Sequence, residues 1–183
     1  MFRDYLDEIT VAWLDAGDSF PETYEQMERV KTIAPHFVAV PGRVWEVRRK
    51  GIPVDSVISP REQHWTSCCF LSKMLPLRDF CREIGAEKII RGQKDVDRIK
   101  SPIRSGAVVE GITYIFPLQS WTEDEVSTFI KGSEFLQVSE ASMSMDCMRC
   151  TGLVEENSWR QPFLKKHYPL IALEVERLQN GRL

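Results

Sequence analysis

Ile9-Thr10-Val11-Ala12-Trp13-Leu14-Asp15-Ala16-Gly17-Asp18-Ser19-Phe20-Pro21-Glu22 is the stretch that decides the fold class. Ile9 to Leu14 form a continuous apolar run, the pattern of a strand buried on both faces. Asp15 to Asp18 end it in a turn. Ser19 stands three residues before Glu22, the capping-box spacing, and Pro21 suits a first helical turn, so a helix follows at once. Tyr24, Met27, Val30 and Ala34 form its apolar stripe. His36 to Val40 read as a second short strand, broken by Pro41-Gly42, and residues 43–50 as a helix ending at Gly51. Strand–helix–strand–helix is the rhythm of an α/β fold with a parallel sheet. Upstream, residues 2–8 read as the end of a helix, with Phe2, Tyr5 and Leu6 on one face.

Downstream, Pro53, Pro60 and many polar residues make 52–67 irregular. Cys68-Cys69 open a helical segment that Pro76 restarts or kinks. Leu77, Phe80, Cys81 and Ile84 share one face, which puts Cys81 on the core side, and Gly85 closes the helix. Lys88-Ile89-Ile90 is a third strand. It runs into Arg91-Gly92-Gln93-Lys94, the start of a basic loop that also carries Arg98, Lys100 and Arg104. Such a loop after a parallel strand either meets an anionic ligand at the carboxyl end of the sheet or is a solvated charged loop. Ile112 to Leu118 are a fourth strand. Thr122 caps a further helix, with Glu125 completing a capping box and Trp121 and Val126 spaced as a hydrophobic staple; it ends near Gly132. A polar stretch, 133–146, precedes Cys147-Met148-Arg149-Cys150. A last helix starts near Pro169, with Ile171, Val175 and Leu178 inward.

The 183 residues suit one domain with a sizeable core, and a hydrophobic share of 43% with 28% charged residues is ordinary for a globular protein. A net charge of −3 argues against a nucleic-acid partner bound through bulk charge. No run approaches the ~18 apolar residues of a membrane span. The first eight residues have no signal-peptide core, so the expected location is the cytoplasm. In a reducing compartment cysteines read as metal ligands or redox groups before disulfides.

Two cysteine pairs, Cys68-Cys69 and Cys147-Met148-Arg149-Cys150, lie far apart in the chain. Brought together, four thiolates make a soft donor set that selects zinc or an iron–sulfur cluster. The two-residue spacer of CxxC lets both sulfurs reach one centre. Adjacent cysteines diverge on any regular backbone and grip one small ion poorly, whereas a 4Fe–4S cube offers each a separate corner. The alternative is a set of unrelated thiols packed as small apolar residues. Of the three histidines, His64 lies near the first pair and is a candidate ligand or support; His36 and His167 read as structural. GxSxG, HExxH and GxxxxGK[ST] are absent from the sequence.

Taken together, these residues resemble the phosphoadenosine-phosphosulfate (PAPS) reductase family, on the side of the adenylyl-sulfate reductases that carry a 4Fe–4S cluster. Leu14-Asp15-Ala16-Gly17 with Phe20-Pro21-Glu22-Thr23-Tyr24 resembles "LDTG…FPETY". Cys68 to Leu77 fit "CCxxxKxxPL" without gaps. Gly92-Gln93-Lys94 and Ser101-Pro102-Ile103-Arg104 resemble "GQR…SPTR". Pro117-Leu118, Trp121-Thr122 and Val126 resemble "PL..WT..DV", and Cys147 to Thr151 resemble "CxxCT". The matches are collinear over roughly residues 9–155.

The resemblance implies a single PAPS-reductase-like domain over 1–183, with the parallel-sheet, adenine nucleotide alpha-hydrolase-like (PP-loop) fold and a C-terminal cysteine-containing helical or loop region. It implies that Cys68, Cys69, Cys147 and Cys150 hold the cluster, zinc being the alternative. Lys73 would lie between the cluster and the anionic end of the substrate. Asp15 and Gly17 would line the nucleotide pocket, and Gly92, Gln93 and Arg104 would contact the nucleotide or its phosphosulfate, Arg104 through its planar fork. The family's "SGGKDS"-like phosphate loop, with the strand before it, and its "ECGLH"-like tail are not found in these residues. The start is expected to be a shortened one, or completed by a strand of another chain, or bridged by direct pairing of the flanking strands. The expected function is an oxidoreductase-like protein of sulfate assimilation that binds an adenylyl-type nucleotide beside the four-cysteine site, with a thiol donor such as thioredoxin. The alternative is a non-catalytic or partner-dependent member, whose metal site is structural and whose open sheet pairs with another chain or its own copy.

Overall fold

A computed structural model of the chain describes residues 3–50, 68–97, 103–132, 147–150 and 160–179. The expectations for 51–67 (His64 included), for 98–102 and for 133–146 fall outside these residues. Two compact units emerge, Met1–Asp79 with Val138–Leu183, and Phe80–Gln137.

In the first unit a short 3-10 turn, Arg3–Tyr5, stands where the end of a helix was expected. Strand β1 (Val11–Asp15) and strand β2 (Phe37–Pro41) pair in parallel, Val11 opposite Phe37 and Asp15 opposite Pro41. Helix α1 (Pro21–Ile33) is the crossover between them. The βαβ reading therefore stands, but β1 is not buried on both faces. Ala12 is exposed and its neighbours half-buried, because β1 pairs only with β2 among the described residues.

The start of α1 also differs from the sequence reading. Phe20, not Ser19, is the N-cap residue, and no side chain caps the helix. Phe20 is drawn into a core cluster with Leu164, Ala172 and Val175. Glu22 is engaged by the Tyr168 hydroxyl, which donates to it, rather than reaching back to cap the helix. Burying an aromatic ring outweighs the roughly 1 kcal/mol that a cap supplies. Helix α2 (Val44–Lys50) follows β2 as expected. Two more helices finish this unit. Helix α6 (Pro169–Gln179) matches the sequence reading, with Val175 buried and Ile171 half-buried. Helix α5 (Arg160–His167) was not anticipated: its only buried residues are Arg160 and Leu164, too few to make an apolar stripe.

Cys68 and Cys69 are helical and lead into a π-helical turn, Phe70–Met74, which continues as α3 (Leu75–Glu83). Pro76 has no N–H to donate, so a helix must loosen ahead of it, and the wide turn sits in that place. Cys81 is buried as expected, whereas Ile84 lies just past the helix end and is exposed.

The second unit holds strands β3 (Lys88–Ile90), β4 (Val108–Val109) and β5 (Ile112–Ile115) in the order β3-β5-β4, the first pair parallel and the second antiparallel. The β4–β5 hairpin escaped the sequence reading. Its two-residue turn, Glu110-Gly111, has positive φ at both positions (53° and 82°), the geometry usually marked by Asn-Gly. Helix α4 (Glu123–Ile130) carries the anticipated capping box: the Thr122 hydroxyl accepts from the Glu125 N–H, and the Glu125 carboxylate accepts from Thr122. Among the described residues no helix is long and apolar enough to cross a membrane.

Gly42 ties three segments of the first unit together. Its N–H donates to Asp15 O at 2.6 Å, and the next N–H, of Arg43, donates to Ser72 O at 2.8 Å. A Cβ at Gly42 would sit 2.8 Å from Asp15 O, 3.0 Å from Ser72 O and 3.1 Å from Ala16 Cα, all backbone atoms with little room to retreat. Gly42→Ala is therefore expected to destabilise the chain by about 1–3 kcal/mol, the usual cost of overpacking, read as a lower denaturant midpoint at unchanged m-value.

Candidate functional site

The loop after β1 is built by two aspartates. Asp15 Oδ1 accepts from the Gly17 N–H at 2.8 Å and from the Tyr24 hydroxyl at 3.0 Å, an Asx turn that fixes Gly17 at φ +74°. Both Asp15 and Gly17, expected to line a nucleotide pocket, thus shape this loop. Trp45 of α2 lies across it, its indole N–H donating to Gly17 O at 2.8 Å.

Asp18 does more than end a turn, and the sequence reading missed this. Its side chain is fully buried. It accepts from Arg48 Nη1 at 2.8 Å, from the Arg149 backbone N–H at 3.0 Å, and from Arg149 Nη1. Its carbonyl accepts from the Met148 N–H at 2.6 Å. One carboxylate therefore fastens the CxxC segment to the loop after β1 and to α2. Arg149 also donates from Nε to Glu174 of α6 at 2.7 Å. Burial opposes the Arg149 charge, but Glu174 and Asp18 outweigh it and hold the guanidinium above its ordinary pKa. The Arg48 and Arg149 guanidiniums lie 5.0 and 5.6 Å from the Trp45 ring centre.

Of the expected ligands, Cys147 and Cys150 lie against this loop. Cys147 is buried against Ala16 and Val44, with Cys150 beside it. Cys68 is buried as well, and Cys69 and Cys150 are half-buried. Burial pushes the Cys68 thiol above its ordinary pKa; the nearby Cys150 pushes the same way, while Ser72, Arg48 and Lys73 pull it down. Cys68 and Cys150 thus lie within electrostatic reach although distant in sequence. The Ser72 hydroxyl donates to Cys68 O, closing the turn that carries this pair. Cys69 lies on the same turn and Cys81 belongs to the second unit. Among the described residues no three His, Cys, Asp or Glu side chains gather as a group for a single metal ion.

The buried charged residues of the described chain are Asp18, Lys73 and Arg160. Arg48 and Arg149 are both drawn to the Asp18 carboxylate, and Arg48 and Arg160 keep buried nitrogens with no acceptor among the described residues. Four soft sulfur donors that become thiolates on binding metal, beside such donors, fit a metal–thiolate centre.

The second set of expected site residues lies in the other unit. Arg104 is exposed, and its Nη1 pairs with both oxygens of Asp95 at 2.7 Å. Gln93 Nε2 donates to Asp97 Oδ2 at 2.8 Å. Lys94 pairs with Asp97 at 2.8 Å and Glu123 at 3.3 Å; burial disfavours its charge, but these carboxylates prevail and raise its pKa. Gly92 is exposed, its missing Cβ 3.8 Å from Leu118. Among the described residues of the basic loop, Lys94 and Arg104 are thus paired with acidic side chains.

Comparison with known proteins agrees with these features. The family model of the phosphoadenosine phosphosulfate reductase domain matches residues 1–140. The chain belongs to the phosphoadenosine phosphosulfate reductase family. Its relatives include the adenosine 5'-phosphosulfate reductase of Salinibacter ruber, 27% identical over 85% of this chain and 63% of the relative. The proteins of that name from Allochromatium vinosum and Rhodococcus erythropolis are 30% and 25% identical, over 67% and 78% of this chain and 49% and 59% of their own lengths. The chain thus spans about half to three-fifths of the relatives it matches.

The two acidic partners of Arg149 should separate on mutation. Asp18→Asn leaves two guanidiniums facing a neutral, buried amide and is expected to cost about 3–5 kcal/mol. Glu174→Gln removes a partner that is half-exposed and should cost less than about 1 kcal/mol. Denaturant titration of the metal-free chain measures both; equal effects would contradict the role given to Asp18.

Proposed function

We propose that this chain is a PAPS/adenylyl-sulfate reductase-like protein of the PP-loop type, binding an adenylyl-type nucleotide beside an iron–sulfur centre held by Cys68, Cys69, Cys147 and Cys150. The observation that carries this proposal is the Asp18 anchor, which holds the CxxC segment within electrostatic reach of the Cys68-Cys69 turn. Family membership and the buried cations beside the thiols support it.

A tetrahedral zinc site needs all its sulfurs at ~2.3 Å from one point. The ligands of a 4Fe–4S cube occupy separate corners, which suits the adjacent pair Cys68-Cys69. When bound, such a cluster supplies a redox-capable or electrostatic centre. Lys73, buried one turn beyond the cysteine pair, keeps an ammonium near Cys68 and offers a positive charge to the anionic end of a substrate. The Asp15–Gly17 turn presents a close-approach backbone for the nucleotide. Gly92, Gln93 and Arg104 form the second contact set: the Asp95 carboxylate now on Arg104 is an anion that a phosphate or sulfate replaces. No nucleophile is assigned among these residues. A thiol donor such as thioredoxin and a cytoplasmic location belong to the same proposal.

The ion pairs of that loop favour a second reading. With Arg104 held by Asp95 and Lys94 by Asp97 and Glu123, the loop already has its anions. A non-catalytic member, its metal centre structural and its open sheet used for association, fits this observation.

Titration of the anaerobically prepared full chain with adenylyl sulfate, followed by calorimetry, separates the two. Saturable binding that Arg104→Ala weakens about tenfold, the size of one charge-assisted hydrogen bond, is expected from the first. Metal bound through the cysteines with no heat from nucleotide would favour the second.

A further inference from the structure

Arg160, at the start of α5, is 2% exposed, the most deeply buried cation among the described residues. One of its nitrogens is accounted for: Nη2 donates to Cys147 O and, at 2.8 Å, to Met148 O, clasping the CxxC backbone. Its Nε and Nη1 are buried and have no acceptor among the described residues. The Phe20 ring centre, 6.0 Å from the guanidinium carbon, offers a weak charge–quadrupole contact that does not replace two hydrogen bonds. Burial drives the Arg160 pKa down, and the groups that oppose this shift are Cys150, Cys147 and Asp18. Arg48 adds like-charge repulsion, and its own Nε and Nη2 are also buried and unpartnered among the described residues.

Arginine stays protonated in proteins, so this is a buried, incompletely paired cation. Such a group costs several kcal/mol unless an anion meets it. Asp18 is not that anion, because its oxygens are already taken by Arg48 and Arg149. Among the described residues the remaining acidic groups in electrostatic range are the thiols of Cys147 and Cys150. As thiols they are neutral and weak acceptors; as metal-bound thiolates they carry charge and accept hydrogen bonds.

We propose that Arg160 is a positioning and charge-balancing residue of the four-cysteine centre, its Nε and Nη1 donating to metal-bound sulfur while Nη2 holds the CxxC backbone in place. The proposal rests on the metal reading given above. It assigns the unpartnered donors to sulfur, not to the anionic end of a nucleotide. Arg48, within range of Cys68, plays a lesser part, because Nη1 and one ring face are already occupied.

The test uses the full chain loaded anaerobically with iron and sulfide, with folding followed by circular dichroism. Arg160→Gln and Arg160→Lys are compared with wild type for the rate of iron release to a chelator and for reduction potential. Loss of a partner outside the ligand set typically costs roughly 10–100-fold in metal affinity, so Arg160→Gln should release iron faster by about that factor. Its potential should fall, because a positive charge favouring the reduced, more negative centre is gone. Arg160→Lys, which keeps the charge but not the fork, should hold its potential nearer wild type and still release iron faster. Wild type labelled with nitrogen-15 arginine adds a reading that needs no variant to fold: pulsed EPR of the reduced centre should show coupling to guanidinium nitrogen, lost in Arg160→Lys. Wild-type release and potential in both folded variants, or no nitrogen coupling in wild type, overturns the role of Arg160 alone. A change confined to adenylyl-sulfate binding, with iron retention untouched, also overturns it. Failure of the wild-type chain to take iron through its cysteines overturns this proposal and the metal reading together.

Discussion

The Asp18 carboxylate is the constraint on which the first unit depends. A fully buried carboxylate is tolerated only when its lone pairs are filled, and here they are filled from two directions. Arg48 reaches it from α2, and Arg149 reaches it through backbone and side chain from the CxxC segment. Because those donors lie so far apart in the chain, satisfying one residue fixes the approach of two distant segments. The Cys68-Cys69 turn is brought in by a separate route, through the Arg43 N–H on Ser72 O and the tight passage of Gly42 between Asp15 and Ser72. Neither route uses a cysteine side chain, so backbone and ion pairs position the sulfurs before any metal is considered.

The electrostatic consequence is that several cations are buried around one carboxylate among the described residues. Lys73 and Arg160 are buried, and Arg48 and Arg149 are largely so, while Asp18 is the one buried carboxylate among the described residues. Arg149 has a second carboxylate in Glu174, whereas Arg48 and Arg160 each keep buried nitrogens with no acceptor among the described residues. Cys68 is accordingly pulled in opposite directions, raised by its burial and by Cys150 and lowered by Ser72, Arg48 and Lys73. In the second unit Asp95, Asp97 and Glu123 already pair with Lys94 and Arg104. An anion arriving there competes with carboxylates, whereas Arg48 and Arg160 hold buried nitrogens without an acceptor among the described residues.

Much of this was legible in the sequence where local physics decides structure. The apolar run before Asp15 and the stripe of α1 gave the parallel βαβ unit. Lys88–Ile90 and the Thr122/Glu125 box are determined within a few residues of themselves, and both were read correctly. The two cysteine pairs stand out in the sequence by their spacing. What could not be read depends on partners that sequence spacing does not announce. Asp18 looks like any turn aspartate until Arg149 arrives from 131 residues away. Ser19 has the spacing of a cap, but the pull of Phe20 into the core moves the helix start on by one residue. Glu110-Gly111 adopts a turn that its composition does not advertise. Arg160, on a helix without an apolar stripe, reads as a surface residue and is instead the most buried cation described.

The spatial claim beneath all of this is that Cys68 and Cys150 are neighbours in the folded chain. Cross-linking measures it without any metal or nucleotide. A metal-free variant with Cys69, Cys81 and Cys147 replaced by serine keeps only these two thiols, and a short thiol-bridging reagent should join them within one chain, located by mass spectrometry of the digested product. An intramolecular Cys68–Cys150 bridge formed under native conditions and lost in denaturant is the predicted result. Single-ended labelling of each thiol in a natively folded chain, with no bridge, would contradict it.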